Sequence, residues 1–267
     1  MQNAKPSLSL VTGASSGIGE AFAQALAERG HDLVLVARRA DVLGELAARL
    51  SSLHGVSVEV LAADLADRGD LARVEERAGR GDVDLLVNNA GIGGLEGFLE
   101  ADPASFDLMI AVNVTALTRL ARAAASAMRD RGGGTIINVA SGISFNVLPA
   151  ASVYAGTKAY VSQFTQALDA ELAGSGIRFQ ALIPGLTRTN LGGAEELGMF
   201  DRFPPEMVQA PRDVVEASLA GLKLGEVACI PRLEDYSQWE AARDAIRAIG
   251  ADPPGNAVAS RYRALRG

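Results

Sequence analysis

Lysine is nearly missing from this chain. Against 22 arginines the 267 residues hold 3 lysines, Lys5, Lys158 and Lys223. Cysteine is scarcer still: Cys229 stands alone, which excludes an intramolecular disulfide framework and suits a reducing compartment. The two histidines, His31 and His54, are not clustered with each other or with the cysteine, so no metal site is expected. They read as surface or strand-edge residues. A surplus of positive charge is absent too, and a formal charge of −7 argues against a nucleic-acid partner. No uninterrupted apolar stretch has the length of a membrane span, and the opening MQNAKPSLSLVTG has too short an apolar run for a signal peptide. A soluble, cytoplasmic protein with no membrane partner is therefore expected.

What the chain does have is a regular alternation. With 48% hydrophobic and 21% charged residues it can bury a sizeable core. Short runs rich in Val, Ile and Leu recur as SLSLV (7–11), DLVLVA (32–37), VSVEVLA (56–62), DLLVN (84–88), TIINVA (135–140), RFQALI (178–183) and EVACI (226–230). Each is nearly continuous, as a strand covered on both faces should be. Segments of helical period lie between them. Gly30 is placed to end the first, Asp41 to cap the second, and Asp102 with Pro103 to open a long one reaching Asp130. The alternation predicts an α/β, Rossmann-like, doubly wound fold, with a seven-stranded parallel sheet and helices on both faces. One catalytic domain is expected over 1–232, with 233–267 as its C-terminal helical appendage. Within the appendage DYSQWEAARDAIRAIG reads as a helix, ADPPGN as a turn and AVASRYRALRG as a short helix with a basic end at Arg261, Arg263 and Arg266.

VTGASSGIGE joins the first strand to the first helix. Gly13, Gly17 and Gly19 let the backbone turn sharply and approach a ligand closely. The helix behind them offers free N–H groups and a positive dipole end, which suit a pyrophosphate. The spacing G-x-x-x-G-x-G is neither the common dinucleotide fingerprint nor a triphosphatase loop. GASSG also satisfies the G-x-S-x-G of a hydrolase elbow, with Ser15 as nucleophile. That chemistry wants an acid and then a histidine downstream, and both histidines follow too early. The phosphate cradle is the better reading.

TGASSGIG (12–19), NNAG (88–91), Asn113, Ser141 and Tyr154-x-x-x-Lys158 stand in that order, with Ser141 thirteen residues before Tyr154. Singly these motifs are weak. Together they resemble the short-chain dehydrogenase/reductase family, and the resemblance runs from the first strand to about residue 231. It adds meaning to the rare lysine. On a helix Tyr154 and Lys158 are neighbours one turn apart. A free phenol has a pKa of about 10, and lowering it by about three units takes roughly 4 kcal/mol. An ammonium in a closed cleft, reinforced by the charge of an oxidised nicotinamide, would supply that. Its compact three donors also suit a ribose diol better than the wide fork of arginine.

The resemblance implies that Tyr154 is the general acid/base, that Ser141 orients the reacting oxygen, and that Asn113 holds a water linking Lys158 to bulk protons. It further implies cofactor contacts from Gly13, Ser15, Ser16, Gly17, Ile18 and Gly19. Asp64 and Leu65 would meet the adenine, Asn88, Asn89, Ala90 and Gly91 would form the cofactor-side loop, and Tyr154 and Lys158 would reach the ribose. Pro184, Gly185, Thr187 and Thr189, in PGLTRTN, correspond to the loop near the nicotinamide, with Thr189 preferred over Thr187 as the contact. An acidic residue at the end of the second strand would mark NAD(H). VARRAD puts Arg38 there instead, which suits the 2′-phosphate of NADP(H). Arg39 would stack on the adenine or face solvent.

Residues 142–149 and 190–210 correspond to the variable substrate wall. Ile143, Phe145, Val147, Leu148, Leu191, Met199 and Phe203 make it apolar, and 190–206 has the composition of a lid. The expected function is an NADP(H)-dependent oxidoreductase interconverting a carbonyl and a secondary alcohol on a mainly apolar small molecule. NAD(H) is the alternative cofactor, and a non-catalytic NADP(H)-binding regulatory or scaffold protein is the alternative function. Family resemblance also implies a homodimer or homotetramer. Tyr160 lacks a lysine one turn on and reads as packing.

Overall fold

β1 (Leu8–Thr12) emerges from the N-terminal segment as an almost fully buried run and leads directly into α1 (Gly17–Ala27). In this computed structural model the described residues are 6–94, 96–191, 198–251 and 258–263. The chain divides into two compact units, Met1–Pro231 and Arg232–Gly267. In the first unit the elements continue as β2 (Asp32–Ala37), α2 (Ala40–His54), β3 (Val58–Ala62), α3 (Arg68–Ala78) and β4 (Val83–Asn88). α4 (Pro103–Ile110) passes through a π-helical turn, Ala111–Ala116, into α5 (Leu117–Asp130). β5 (Gly134–Val139), α6 (Ser152–Glu171), β6 (Ile177–Leu182), α7 (Pro211–Leu224) and β7 (Ala228–Cys229) complete it. The second unit has α8 (Ser237–Gly250) and α9 (Ser260–Arg263) among its described residues.

All seven strands run parallel in the order β3-β2-β1-β4-β5-β6-β7. The order reverses between β1 and β4, and beyond the carboxyl ends of those strands a doubly wound sheet opens its ligand crevice. Each face buries its own core. On one, Phe22 and Leu26 of α1, Leu43 and Leu50 of α2 and Val214 of α7 pack on Val11, Leu33 and Leu35. On the other, Leu71 and Val74 of α3 and Leu120, Ala124 and Met128 of α5 cover Leu10, Val34, Leu86 and Ile136. Burial on both faces explains why the strands read as continuous apolar runs.

Helix ends follow their signals with one exception. Asp102 accepts from the Ala104 amide with Pro103 in the first turn. Gly30 takes a left-handed φ of +79° just past α1. Asp41 is not the expected cap: Arg39 occupies the N-cap position of α2, and Asp41 lies in the first turn, where its charge favours the dipole. β7 is shorter than its apolar run because pairing with β6 is confined to two residues at the sheet edge. α4, the π turn and α5 form one continuous 28-residue helix, long and apolar enough by composition to cross a membrane, and half of its most apolar 18 residues are buried here. Its length is the one expected from Asp102 and Pro103 to Asp130, and within this fold Leu117, Leu120, Ala121 and Met128 make it a core helix. Residues 252–257, which include most of the expected ADPPGN turn, lie outside the described residues, as do Arg266 and residues 192–197 of the expected lid.

Candidate active site

The glycine loop closes by contact with the end of β4. Gly13 and Gly17 have φ values of +66° and +59°, which L side chains rarely adopt. A Cβ on Gly19 would fall 2.2 Å from the Gly13 carbonyl oxygen, and one on Gly17 would fall 2.9 Å from Thr189 Cγ2. The glycines thus let the loop pack directly against Asn89, Ala90 and Thr189, where no side chain of its own would fit. Ser16, the N-cap of α1, makes no side-chain capping bond, so the leading amides of that helix are left for another acceptor.

Thr12 and Asn89 hold the two strand ends together. Thr12 Oγ1 accepts from the Asn89 and Ala90 amides, both at 3.0 Å, and donates to Val87 O at 3.3 Å. Asn89 Nδ2 donates to Thr12 O at 2.9 Å and Gly13 O at 3.3 Å. The side chain of Asn89 therefore serves the loop. Asn88, one residue earlier, instead joins β4 to β5, donating to Asn138 Oδ1 at 2.9 Å inside the sheet. Thr12 escaped the sequence reading; its one signal is a hydroxyl residue closing an otherwise apolar strand.

The arginines divide their roles unexpectedly. Arg39 donates from Nη2 to both the carbonyl and the hydroxyl of Ser15, each at 3.1 Å, rather than standing free for an adenine. Arg38, at the end of β2, is exposed and makes no ion pair among the described residues. Asp64 accepts from the Ala66 amide at 3.0 Å, while the Leu65 side chain is buried in the core. Thr187 is also buried, bonding back to Gly185 O at 3.0 Å, so it shapes its own turn. Pro184 accepts from the Gly142 amide at 2.8 Å, which ties this loop to the end of β5, and Gly185 N donates to Gln209 Oε1. Thr189 is the threonine that reaches the glycine loop.

Ser141, Tyr154, Lys158 and Asn113 come together. The Ser141 hydroxyl lies beside the Tyr154 phenol and accepts from the Ile143 amide at 3.4 Å. Burial pushes the Tyr154 phenol up, and the Ser141 hydroxyl only partly offsets it, so the chain alone shifts Tyr154 opposite to the expected lowering. Lys158 is buried and donates to Val139 O at 2.8 Å, with Nζ 5.9 Å from the centre of the Tyr154 ring. Desolvation lowers the ammonium to about 8. Gly91 backs onto this pair: a Cβ there would stand 3.3 Å from both Lys158 Nζ and Asn113 Oδ1. Asn113 sits in the π turn, where the widened helix lets its amide bridge Ile92 N and O, both at 2.8 Å. It also donates to Thr157 Oγ1 at 3.1 Å, and Thr157 donates to Tyr154 O at 2.8 Å. Thr157 was missed in the sequence, though its place directly before Lys158 was a usable signal. Tyr160 stacks on Phe164 and its hydroxyl pairs with Thr118, as packing would have it.

No hydrolase elbow forms. The Ser15 hydroxyl meets a guanidinium, and His31 pairs with Ser9 at 2.8 Å within the first strand. Beside Tyr154 a cavity of about 130 Å³ opens between the segment after β4, α4 and the start of α6.

Known proteins carry the same architecture. A short-chain dehydrogenase from Sphingobium yanoikuyae, solved with NADPH, is 40% identical and superposes with a TM-score of 0.90 over 96% of this chain and 100% of its own. A bulky-bulky ketone specific alcohol dehydrogenase from Comamonas testosteroni is 34% identical, with a TM-score of 0.87 over 97% and 99%. An uncharacterised oxidoreductase of Staphylococcus saprophyticus is 32% identical over 81% of this chain and 91% of its own. Residues 8–198 match the short chain dehydrogenase family profile, from the first strand to beyond the sixth, and this chain belongs to that family.

Proposed function

We propose that the protein is an NADP(H)-dependent oxidoreductase that interconverts a carbonyl and a secondary alcohol on a mainly apolar small molecule, with Tyr154 as general acid/base. The observation that carries this reading is the convergence of Ser141 and Tyr154 on a buried lysine backed by Gly91. A dinucleotide suits the residues present: the uncapped amides at the start of α1, reached by the sharp turn at Gly13 and Gly17, fit a pyrophosphate, and exposed Arg38 fits a 2′-phosphate. NADPH in the Sphingobium relative supports the same choice. Ser15, Ser16, Ile18, Asp64, Ala90, Gly91, Pro184, Gly185 and Thr189 complete the proposed binding surface. When bound, the nicotinamide supplies or accepts hydride. Residues 1–232 carry both binding functions in this reading.

The chain's own part is positioning and proton transfer. Ser141 Oγ and the Tyr154 hydroxyl both donate to one carbonyl oxygen, polarising it and fixing its place. With its phenol pushed up by burial, Tyr154 carries a proton at neutral pH, the form a reductase needs. Lys158 holds positive charge beside it, most of the population being protonated at pH 7 given a value of about 8. Asn113, clamped to Ile92 and Thr157, keeps that corner open to a proton-bearing water. Alcohol oxidation, which needs the phenolate, should therefore accelerate as pH rises, while ketone reduction should slow once Tyr154 and Lys158 lose their protons. The same reading includes a cytoplasmic homodimer or homotetramer, and sedimentation equilibrium tests the assembly.

Titration of nicotinamide fluorescence with NADPH and NADH in parallel is the primary test. Tight NADPH and weak NADH are expected, and Arg38→Asp should weaken NADPH at least tenfold while sparing NADH. Equal losses would place the 2′-phosphate elsewhere. Tyr154→Phe should bind NADPH normally yet lose at least 10³-fold in turnover; full activity in that variant would sink the mechanism.

A further inference from the structure

Two threonines on α6 are wired alike. Thr157 Oγ1 donates to Tyr154 O at 2.8 Å and accepts from Asn113 Nδ2 at 3.1 Å. Thr165, about two turns on, donates to Val161 O at 2.7 Å and accepts from Asn138 Nδ2 at 3.0 Å. Both threonines and both asparagines are buried. A hydroxyl has a single proton. Each threonine gives that proton to a carbonyl of its own helix, so toward its asparagine it can only accept. The NH₂ end of each amide is thereby held to the threonine.

The two amides differ in what their oxygens face. Asn138 Oδ1 accepts from Asn88 Nδ2 at 2.9 Å, inside the sheet. Asn113 spends one N–H on Ile92 O and the other on Thr157, while its Oδ1 accepts from Ile92 N. A carboxamide oxygen has a second lone pair, and here it lies in the lysine corner: Asn113 Oδ1 and Lys158 Nζ would both be 3.3 Å from a Cβ on Gly91. The groups around that ammonium are the Tyr154 phenol on its own helix, Val139 O on β5 and Asn113 Oδ1 on the π turn. No carboxylate pairs with it among the described residues.

Resting on the reading of Tyr154 and Lys158 above, we infer that Thr157 is a positioning residue for proton transfer: its hydroxyl holds the Asn113 amide with the oxygen toward Lys158 and ties that amide to the turn carrying Tyr154. Without the hydroxyl a buried N–H of Asn113 loses its acceptor. The amide then turns to find another, which takes the oxygen away from the ammonium. Thr165 orients Asn138 in the same way within the core, so its hydroxyl serves stability alone.

Thr157→Val and Thr165→Val each remove one hydroxyl at nearly constant volume, and Thr157→Ser keeps it. Fluorescence titration with NADPH checks that each variant is folded, and NADPH consumption is then followed with acetophenone and benzophenone across neutral and alkaline pH. Thr157→Val should lose at least about tenfold in kcat, with KM for the ketone and NADPH affinity within about threefold. Its reduction rate should begin to fall at lower pH than that of wild type, because an ammonium deprived of an acceptor gives up its proton more readily. Thr157→Ser should restore both the rate and the profile. Thr165→Val should keep wild-type kcat and pH profile while unfolding at lower urea concentration.

An unchanged rate and profile in Thr157→Val would overturn the positioning role and leave the proposed function standing. So would equal losses in Thr157→Val and Thr165→Val, or in Thr157→Val and Thr157→Ser. If Thr157→Val binds no NADPH, Thr157→Ala is read in its place, and failure of both would assign the hydroxyl to folding and overturn the role. Wild-type protein that binds NADPH and reduces neither ketone would bring down the proposed function and this role with it.

Discussion

Among the described residues two cations are buried in the main unit, and they keep different company. Arg77, near the starts of β3 and β4, is 6% exposed and donates to Glu59 and Asp82, each at 2.8 Å. Lys158, near the end of β5, is 4% exposed, and its described hydrogen bond is to a neutral carbonyl. Burial alone would pull both down. For Arg77 the two carboxylates outweigh it and the guanidinium is pushed up; for Lys158 nothing opposes it and the ammonium falls to about 8. A buried cation with its full set of partners serves the fold. One held without a counter-charge is costly, and a family of enzymes keeps such a group where a ligand or a reaction will use it.

The comparison breaks most visibly at Lys158. Lys158→Met should reduce turnover at least about 10²-fold yet leave the folded protein as stable as wild type or more so. Holding the charge against a shift from 10.5 to about 8 costs on the order of 3 kcal/mol, and losing the Val139 bond returns about 1. The sign follows from proton binding. Between pH 8 and 10.5 the unfolded chain binds more protons than the folded one at this site, so wild-type stability relative to Lys158→Met is lowest below pH 8 and recovers as pH rises. Urea unfolding of both proteins at pH 7 and pH 9.5 measures this. A gap that widens on the alkaline side would refute the account.

Arg77→Met should do the opposite. Activity per folded molecule stays within twofold, and stability falls by about 1–3 kcal/mol, less than for a fully enclosed pair because both carboxylates keep solvent. Glu59 and Asp82 are 45% and 33% exposed. A loss of turnover in folded Arg77→Met would join the two regions functionally and end the contrast.

Sequence pattern reached the sheet and missed much of the wiring, for a physical reason. Continuous apolar runs follow from burial on both faces, so strands such as Leu33–Val36 declare themselves locally. The glycine loop was legible because only glycine fits, and Lys158 because arginine was the chain's habit. The division between Arg38 and Arg39 was not legible, since adjacent residues leave a strand end in different directions and only the fold shows which one meets Ser15. The π turn at Asn113 was hidden inside a helical pattern, because one widened turn barely disturbs the apolar period. Thr12 and Thr157 were hidden for another reason: each acts through partners more than forty residues away. The upward shift of Tyr154 also depends on how tightly the fold encloses it, and no spacing encodes that.

The smallest effect sharpens the contrast furthest. Glu59→Gln and Asp82→Asn each leave Arg77 one carboxylate, and each should cost no more than about 1 kcal/mol, as half-exposed partners do. The double variant should cost more than the sum, because it strands a buried guanidinium. Lysine in that position could shed its proton, as Lys158 is placed to do, but arginine stays charged at any pH a protein survives. A double-mutant cycle by urea denaturation measures the excess. Strict additivity would mean that solvent, and not the second carboxylate, sustains Arg77, and the distinction between a partnered and an unpartnered cation would then lie in water access to each.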